Sequence, residues 1–168
     1  MCSSDLTEIF PAIQRQLGSD ATLTIAGVNQ SETIRRLAGP DVRITGHMDD
    51  LTDLYGTRRI FVAPTRYAAG LPHKIHEAAA RGIPVVATPL LASQLQWTGN
   101  ELAIAETAEE FAKRCVELYA LPDRWNALRA AALDRVIQEC SPVAFEESLK
   151  QLLQHVQKRK AAQIAASS

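Results

Sequence analysis

The sequence predicts a doubly wound α/β domain followed by a helical extension, and three observations carry that expectation. The stretch Arg59–Pro89 reads as strand, glycine-containing loop, helix, strand. Shorter strand and helix patterns alternate ahead of it from Leu6 onward. After Glu101–Ala105 the periodicity is helical to the end of the chain.

The central stretch is the most informative. Ile60–Ala63 is apolar and closed by Pro64, which suits a strand buried on both faces. Gly70 loosens the loop, and Pro72 is expected at the first helical position, where a missing N–H costs nothing. The helix should run to about Arg81 and stop at Gly82 in a left-handed cap. Pro84 then opens a second apolar strand, Val85–Ala87. At about 100° per residue, Ile75, Ala78, Ala79 and Gly82 share one small apolar face, which lets a helix lie close on a sheet. Lys74, Glu77 and Arg81 form a separate stripe, while His73 and His76 point more nearly away.

A glycine loop leading into a helix at the carboxyl end of a parallel strand is where anions bind in open α/β sheets. The sequence therefore places phosphate oxygens over residues 70–74, with Glu77 in reach of a ligand bearing hydroxyls. Each residue also has a plainer reading. Glu77 is a solvated carboxylate if it pairs with Arg81 one turn on. Lys74 and Arg66 are ordinary surface cations. His73, His76 and Glu77 lack the HExxH spacing of a zinc helix, so no metal site is expected. Trp97 and Trp125 read as packing residues, and Gly27 as a lone turn glycine.

The remaining elements follow in order. Met1–Leu6, MCSSDL, looks foreign to what comes after it. Cys-Ser-Ser-Asp-Leu is one translation of the end of a common sequencing-adapter oligonucleotide, which makes residues 1–6 a candidate non-native leader. An in-frame genomic stop just before residue 1 would exclude that origin; the alternative is a polar N-terminus with Asp5 as helix cap. Leu6, Ile9, Phe10, Ile13 and Leu17 then share a helix face, ended by Gly18. Ala21–Ala26 is a strand, Gln30–Leu37 a short helix and Val42–Thr45 a second strand. Asp49 or Asp50 caps a helix with Leu51 and Leu54 inward.

Beyond the central stretch, Leu90–Trp97 is a short helix or turn and Glu101–Ala105 a strand. Thr107 and Glu110 form a capping box opening a helix to Tyr119, with Phe111, Cys115 and Leu118 inward. Pro122 starts a helix carrying Trp125, Leu128, Ala132 and Val136. Ser141-Pro142 opens a last amphipathic helix with Phe145, Leu149, Leu152 and Val156, and the tail 157–168 is expected to fray.

Bulk properties narrow the function classes. The 168 residues suit one domain with a real core. A hydrophobic content of 46% with 22% charged residues is globular and argues against disorder. A net charge of −1 and a pI near 6.4 argue against a nucleic-acid partner. No apolar run approaches the roughly 20 residues of a membrane span. Cys2, Cys115 and Cys140 are too scattered for a disulfide framework; the reading is two half-buried helix residues and a reducing, cytoplasmic compartment.

LTIAG at 23–27, the run from Val42 to Pro89 and the helical coda together resemble the C-terminal half of group 1 (family 4, GT-B fold) glycosyltransferases. The resemblance covers roughly residues 7–156, and its most specific part is P-x-R-Y-x-x-G-x-x-x-K-I-x-E-A-x-A-x-G-x-P-V-V-A-T from Pro64 to Thr88. It implies a Rossmann-like parallel sheet flanked by helices that binds a nucleotide-diphosphate sugar as donor substrate, with no cofactor and no divalent ion. Glu77 takes the place of the second glutamate of the E-x7-E motif, which hydrogen-bonds the ribose hydroxyls. The backbone around Gly70, Leu71, Pro72, His73 and Lys74 matches the loop that meets the diphosphate and sugar. Gly46 and His47 lie where a loop contacts the base through its main chain, and Arg66 is placed to meet a phosphate. Lys74 and Arg66 are thus the cations expected to stabilise charge building on the leaving diphosphate.

The chain also departs from the pattern. The motif's first glutamate falls at Ala69, which shifts the contacts to the donor sugar. The first strand of the donor domain and the whole N-terminal acceptor-binding domain are expected upstream, and an apolar face left by that strand would make the chain poorly soluble. The resemblance implies retaining glycosyl transfer in polysaccharide or glycoconjugate synthesis, no activity from this chain alone, and peripheral membrane association of the full-length enzyme. The sequence also calls for comparison with two other classes. One is a non-catalytic nucleotide-sugar-binding or interaction module. The other, a phosphorelay receiver, needs clustered acidic residues after its first strand, and LTIAG-VNQ has none.

Overall fold

The computed structural model describes residues 3–28, 32–68 and 70–166. The chain divides into two units, Met1–Leu133 and Asp134–Ser168. The first unit alternates as expected: α1 (Ser3–Leu17), β1 (Leu23–Ala26), α2 (Glu32–Arg35), β2 (Val42–Gly46), α3 (Thr52–Thr57), β3 (Phe61–Ala63), α4 (His73–Ala80), β4 (Val85–Ala87), α5 (Pro89–Leu95), β5 (Ala103–Ile104) and α6 (Ala108–Ala120). Helix α7 (Pro122–Cys140) follows. Residues 29–31, part of the expected helix 30–37, and Ala69 lie outside the described residues.

Among the described residues the strands pair in parallel, in two sheets rather than one: β1-β2 and β3-β4-β5. Leu23 pairs with Val42, Phe61 with Val85 and Val86 with Ala103. This division corrects the expectation for Ile60–Ala63. Strand β3 is an edge of its sheet, so its residues are only half-buried, while Val85, Val86 and Ala87 of the central strand β4 are fully enclosed. A buried parallel strand needs neighbours on both sides and cover on both faces, and only β4 has them. The helix α1 serves both sheets. Its Leu6 packs with Ile25 and Ile34, and its Ile9 with Val86, Phe111 and Leu118.

The apolar face of α4 forms as its spacing requires, with Ile75, Ala78 and Ala79 buried. Its boundaries show the local chemistry. Pro72 is the flanking residue, one position earlier than expected, because its carbonyl already accepts the Ile75 N–H at 2.8 Å. At the other end Gly82 has φ +73°, its N–H bonds the Ala79 carbonyl, and the Ile83 N–H bonds the Ala78 carbonyl. Those two bonds close a Schellman motif, which needs a left-handed residue where Gly82 stands. Helix α5 ends the same way on Gln96, at φ 55°, with Trp97 N–H on the Ala92 carbonyl.

The expected capping box of α6 is present. Thr107 Oγ1 accepts from the Glu110 N–H at 3.2 Å, and the Glu110 carboxylate accepts from the N–H groups of Glu106 and Thr107. Those bonds, Glu106 first, hold the Glu110 carboxyl below the usual carboxylate range. The first turn of α7 is fastened to the chain entering β3 by Trp125, whose indole N–H donates to the Arg59 carbonyl at 2.9 Å. The Arg59 guanidinium lies 5.7 Å from the Tyr119 ring and 5.4 Å from that of Trp125, a cation–π pair of contacts. Cys115 is buried, its thiol pushed up to about 12 by desolvation, and so is an inert packing group. Cys140 is exposed, so neither helical cysteine is half-buried as expected, and Cys2 lies outside the described residues.

In the second unit, α8 (Pro142–Ala166) continues past Gln157 without a break. Phe145, Leu149, Leu152 and Val156 are all exposed on it, so the apolar spacing exists without the burial expected of it. No described helix is long and apolar enough to cross a membrane.

Two substitutions test this account. Gly82→Ala forces a left-handed φ on an L-residue and sets a Cβ 2.8 Å from Arg129 Nε. It is expected to cost about 1–2 kcal/mol by urea denaturation, with Gly82→Asn milder; an unchanged midpoint for both would refute the cap. Thr107→Ala is expected to cost about 1 kcal/mol. Because the folded Glu110 carboxyl is held low, its share is present above the ordinary glutamate range and lost as pH falls through the folded value. Glu110→Gln should flatten that acid limb of the stability curve.

Candidate functional site

The site is built where the β3–α4 loop leaves the carboxyl edge of the three-stranded sheet. The loop is moored from below. Thr88 Oγ1, at the end of β4, donates to the Thr65 carbonyl at 2.8 Å, and Gln94 Nε2 of α5 donates to the Ala68 carbonyl at 3.0 Å. Gly70 then turns the chain with φ +94°, a region costly for any residue with a Cβ. Leu71 is exposed, and Pro72 delivers the chain into α4.

The backbone donors at this turn are fewer than the sequence implied. Pro72 has no N–H, and the His73 N–H is spent on the Leu71 carbonyl at 2.9 Å. Lys74 is exposed on the first turn and makes no ion pair among the described residues. His73 is exposed, but His76 does not point away as expected. Its ring meets the buried Trp97 edge-on, 5.3 Å between centroids and 81° between planes. Among the described residues no three His, Cys, Asp or Glu side chains converge as metal ligands.

Glu77 stands one helical turn past the loop, on the exposed flank of α4. The pairing with Arg81 that would have occupied it is not made. Arg81 Nη1 instead donates to Thr52 Oγ1 at 3.0 Å, and its guanidinium sits 5.7 Å from the Tyr55 ring centroid. Thr52 opens α3, and its N–H donates to the Asp50 carboxylate at 2.8 Å; the Thr52 side chain first, and then that N–H, hold Asp50 below the usual range. The expected Asp49 or Asp50 cap is not formed: Leu51 is the flanking residue of α3 and has no side-chain cap, and Asp50 stands one residue earlier. Tyr55 stands beside Glu77. Its phenol is pushed up by burial first, then by the Glu77 charge, against the opposing Arg81.

Gly46 ends β2 and His47 follows it, at the carboxyl end of the two-stranded sheet. The Gly46 carbonyl accepts the Gly27 N–H at 2.7 Å, which ties the ends of β1 and β2 together. His47 Nε2 lies 3.1 Å from Asp49 Oδ1, both side chains exposed. Arg66 falls into a different group, a cleft lined with Pro64, Thr88, Glu106, Ala108, Phe111 and Ile9 at the ends of β3, β4 and β5. Lys74 and Glu77 are thus both exposed on α4, Arg81 turns from Glu77 to α3, and Arg66 lines a separate cleft that Glu106 also lines. Tyr55 and Glu106 are the members of these groups that residue spacing alone did not reveal, since each stands on a different element from the residue it accompanies.

Comparison with known proteins now places the chain. The profile of a family described as "Glycosyl transferases group 1" matches residues 4–120. No curated protein sequence matches the chain. Among solved structures, the glycosyltransferase of Rickettsia africae ESF-5 superposes with a TM-score of 0.74 at 18% identity, over 92% of this chain and 45% of that one. Alr3699/HepE of Anabaena, in complex with UDP and glucose, gives 0.65 at 15% identity over 90% and 52%. The sucrose-phosphate synthase of Thermosynechococcus elongatus gives 0.63 at 19% over 92% and 51%. The chain spans about half the length of these structures, and its parallel sheets flanked by helices match the GT-B architecture they share. With a family profile that runs through both sheets and into α6, this chain belongs to the group 1 glycosyl transferases.

Proposed function

We propose that this chain is the donor-binding lobe of a glycosyltransferase, holding a nucleotide-diphosphate sugar whose glycosyl group passes to an acceptor in polysaccharide or glycoconjugate synthesis. The single observation that carries the reading is Glu77: exposed, one turn past the moored glycine loop, and released by Arg81. A carboxylate in that state can accept both hydroxyls of a ribose diol. Lys74 beside the loop supplies the charge that a diphosphate needs, and Arg66 at the sheet edge is the second cation assigned to it. Gly46 and His47 present main chain to the base.

The reaction would place negative charge on the departing diphosphate. Fixed cations and the start of α4 lower the energy of that charge without calling on a divalent ion. UDP-glucose is the first donor to test, because the similar Anabaena structure holds UDP with glucose. Acceptor contacts and the transfer step are assigned to the complete enzyme, in which an N-terminal domain closes over this lobe. The division into two sheets is consistent with such a lobe, because β1 and β3 each pair on one side only among the described residues.

The direct experiment is calorimetric titration of UDP-, GDP- and ADP-sugars into wild type and Glu77→Ala. One donor is expected to bind, and the substitution to weaken it about ten- to hundredfold, the scale of a lost charge-assisted hydrogen bond of about 1.5–3 kcal/mol. Equal affinity in both proteins would remove Glu77 from the site.

A further inference from the structure

Between Pro64 and Pro72 the loop reads TRYAAGL, and from Ala68 to Leu71 it carries no polar side chain. That half of the loop can meet a polar ligand only through its backbone. In a trans peptide the C=O and N–H groups point in opposite directions. Whatever holds the carbonyls of such a loop therefore also decides which way its amides face.

Helix α5 holds two of those carbonyls. Thr88 Oγ1 donates to the Thr65 carbonyl at 2.8 Å, and Gln94 Nε2 donates to the Ala68 carbonyl at 3.0 Å. Neither side chain serves its own helix in doing so. Thr88 is the flanking residue at the start of α5, where a threonine commonly caps, yet it makes no side-chain cap bond. Gln94 Oε1 is buried without a hydrogen-bond partner among the described residues, which costs free energy. The amide keeps its N–H on Ala68 and leaves its own oxygen unsatisfied. The platform beneath is firm. Leu91, Ala92 and Leu95 of α5 are buried, and the buried Trp97 that follows the helix meets the His76 ring of α4 at 5.3 Å between centroids. Helix α5 and its end thus reach both the loop and the helix that the loop feeds.

We propose that Gln94 is a positioning residue: by holding the Ala68 carbonyl toward α5, it turns the amide side of the glycine loop toward the diphosphate of a bound nucleotide sugar. The inference deepens the donor-lobe reading and rests on it. Gln94 touches no ligand and acts through the backbone ahead of Gly70. Glu77 and Gln94 then serve different parts of one molecule, the first its ribose and the second its diphosphate.

The test titrates UDP-, GDP- and ADP-glucose, and the corresponding nucleoside monophosphates, into wild type, Gln94→Met, Gln94→Glu and Glu77→Ala. Methionine keeps the length of the side chain and removes the donor. Glutamate keeps the shape and sets a carboxylate against the Ala68 carbonyl. For the best donor, Gln94→Met is expected to weaken the diphosphate sugar on the order of fivefold. Gln94→Glu should weaken it at least as much, with the monophosphate unchanged in both variants. Glu77→Ala should weaken both ligands, because both carry the ribose. A side chain that only stabilised the fold would lower the urea midpoint and weaken diphosphate sugar and monophosphate alike. That result overturns the positioning role, as does a diphosphate sugar bound by both Gln94 variants as tightly as by wild type. In either case a loss of both ligands in Glu77→Ala leaves the donor-lobe reading standing. Wild type that binds none of the three donors overturns both.

Discussion

The contact on which the arrangement depends is that of α4 with the central strand. Ala78 and Ala79 present almost no side chain, and Val85, Val86 and Ala87 are enclosed completely. Small residues on the helix allow its backbone to lie close to the sheet, and a close-packed interior leaves no slack for it to shift. The position of the helix start, and of Glu77 one turn later, is thereby set by packing rather than by any bond made at the site. The Schellman closure at Gly82 and the Arg129 Nε bond to the Gly82 carbonyl fix the opposite end. A functional side chain on so short a helix inherits the rigidity of both.

Much of this was legible in the residues. The small apolar face of α4, the stop at Gly82, the Thr107–Glu110 box and the inward Phe111, Cys115 and Leu118 all follow from local spacing, and the structure has each of them. Local rules read such features well because their partners lie within one or two turns. Elements whose fate depends on distant partners read less well. Ile60–Ala63 has the composition of a doubly covered strand, yet it sits at a sheet edge and is half-buried. Phe145, Leu149, Leu152 and Val156 have the spacing of a buried face and are exposed, because helical periodicity specifies which residues share a side and says nothing of what covers them. The left-handed end of α5 was unmarked because the residue there is Gln96 rather than glycine.

The site divides the same way. Gly70, Glu77 and Lys74 could be named from the loop-to-helix pattern and from the family resemblance. Their surroundings could not. The loss of the His73 N–H to the Leu71 carbonyl is a detail of turn geometry, and the choice of Arg81 between Glu77 and Thr52 is settled by the placement of α3. A spacing of four residues on a helix makes Glu77–Arg81 the natural pair, worth only a few tenths of a kcal/mol. A hydroxyl acceptor and an aromatic face on a neighbouring helix were enough to divert the arginine.

That diversion has a mechanical side. Through Arg81, the residue that opens α3 is fastened to the far end of α4, and the segment from Gly46 to Leu51 leads directly into that opening residue. One guanidinium therefore straps the end of α4 to the start of α3, so the chain that follows β2 and the flank that carries Glu77 are tied by a single side chain.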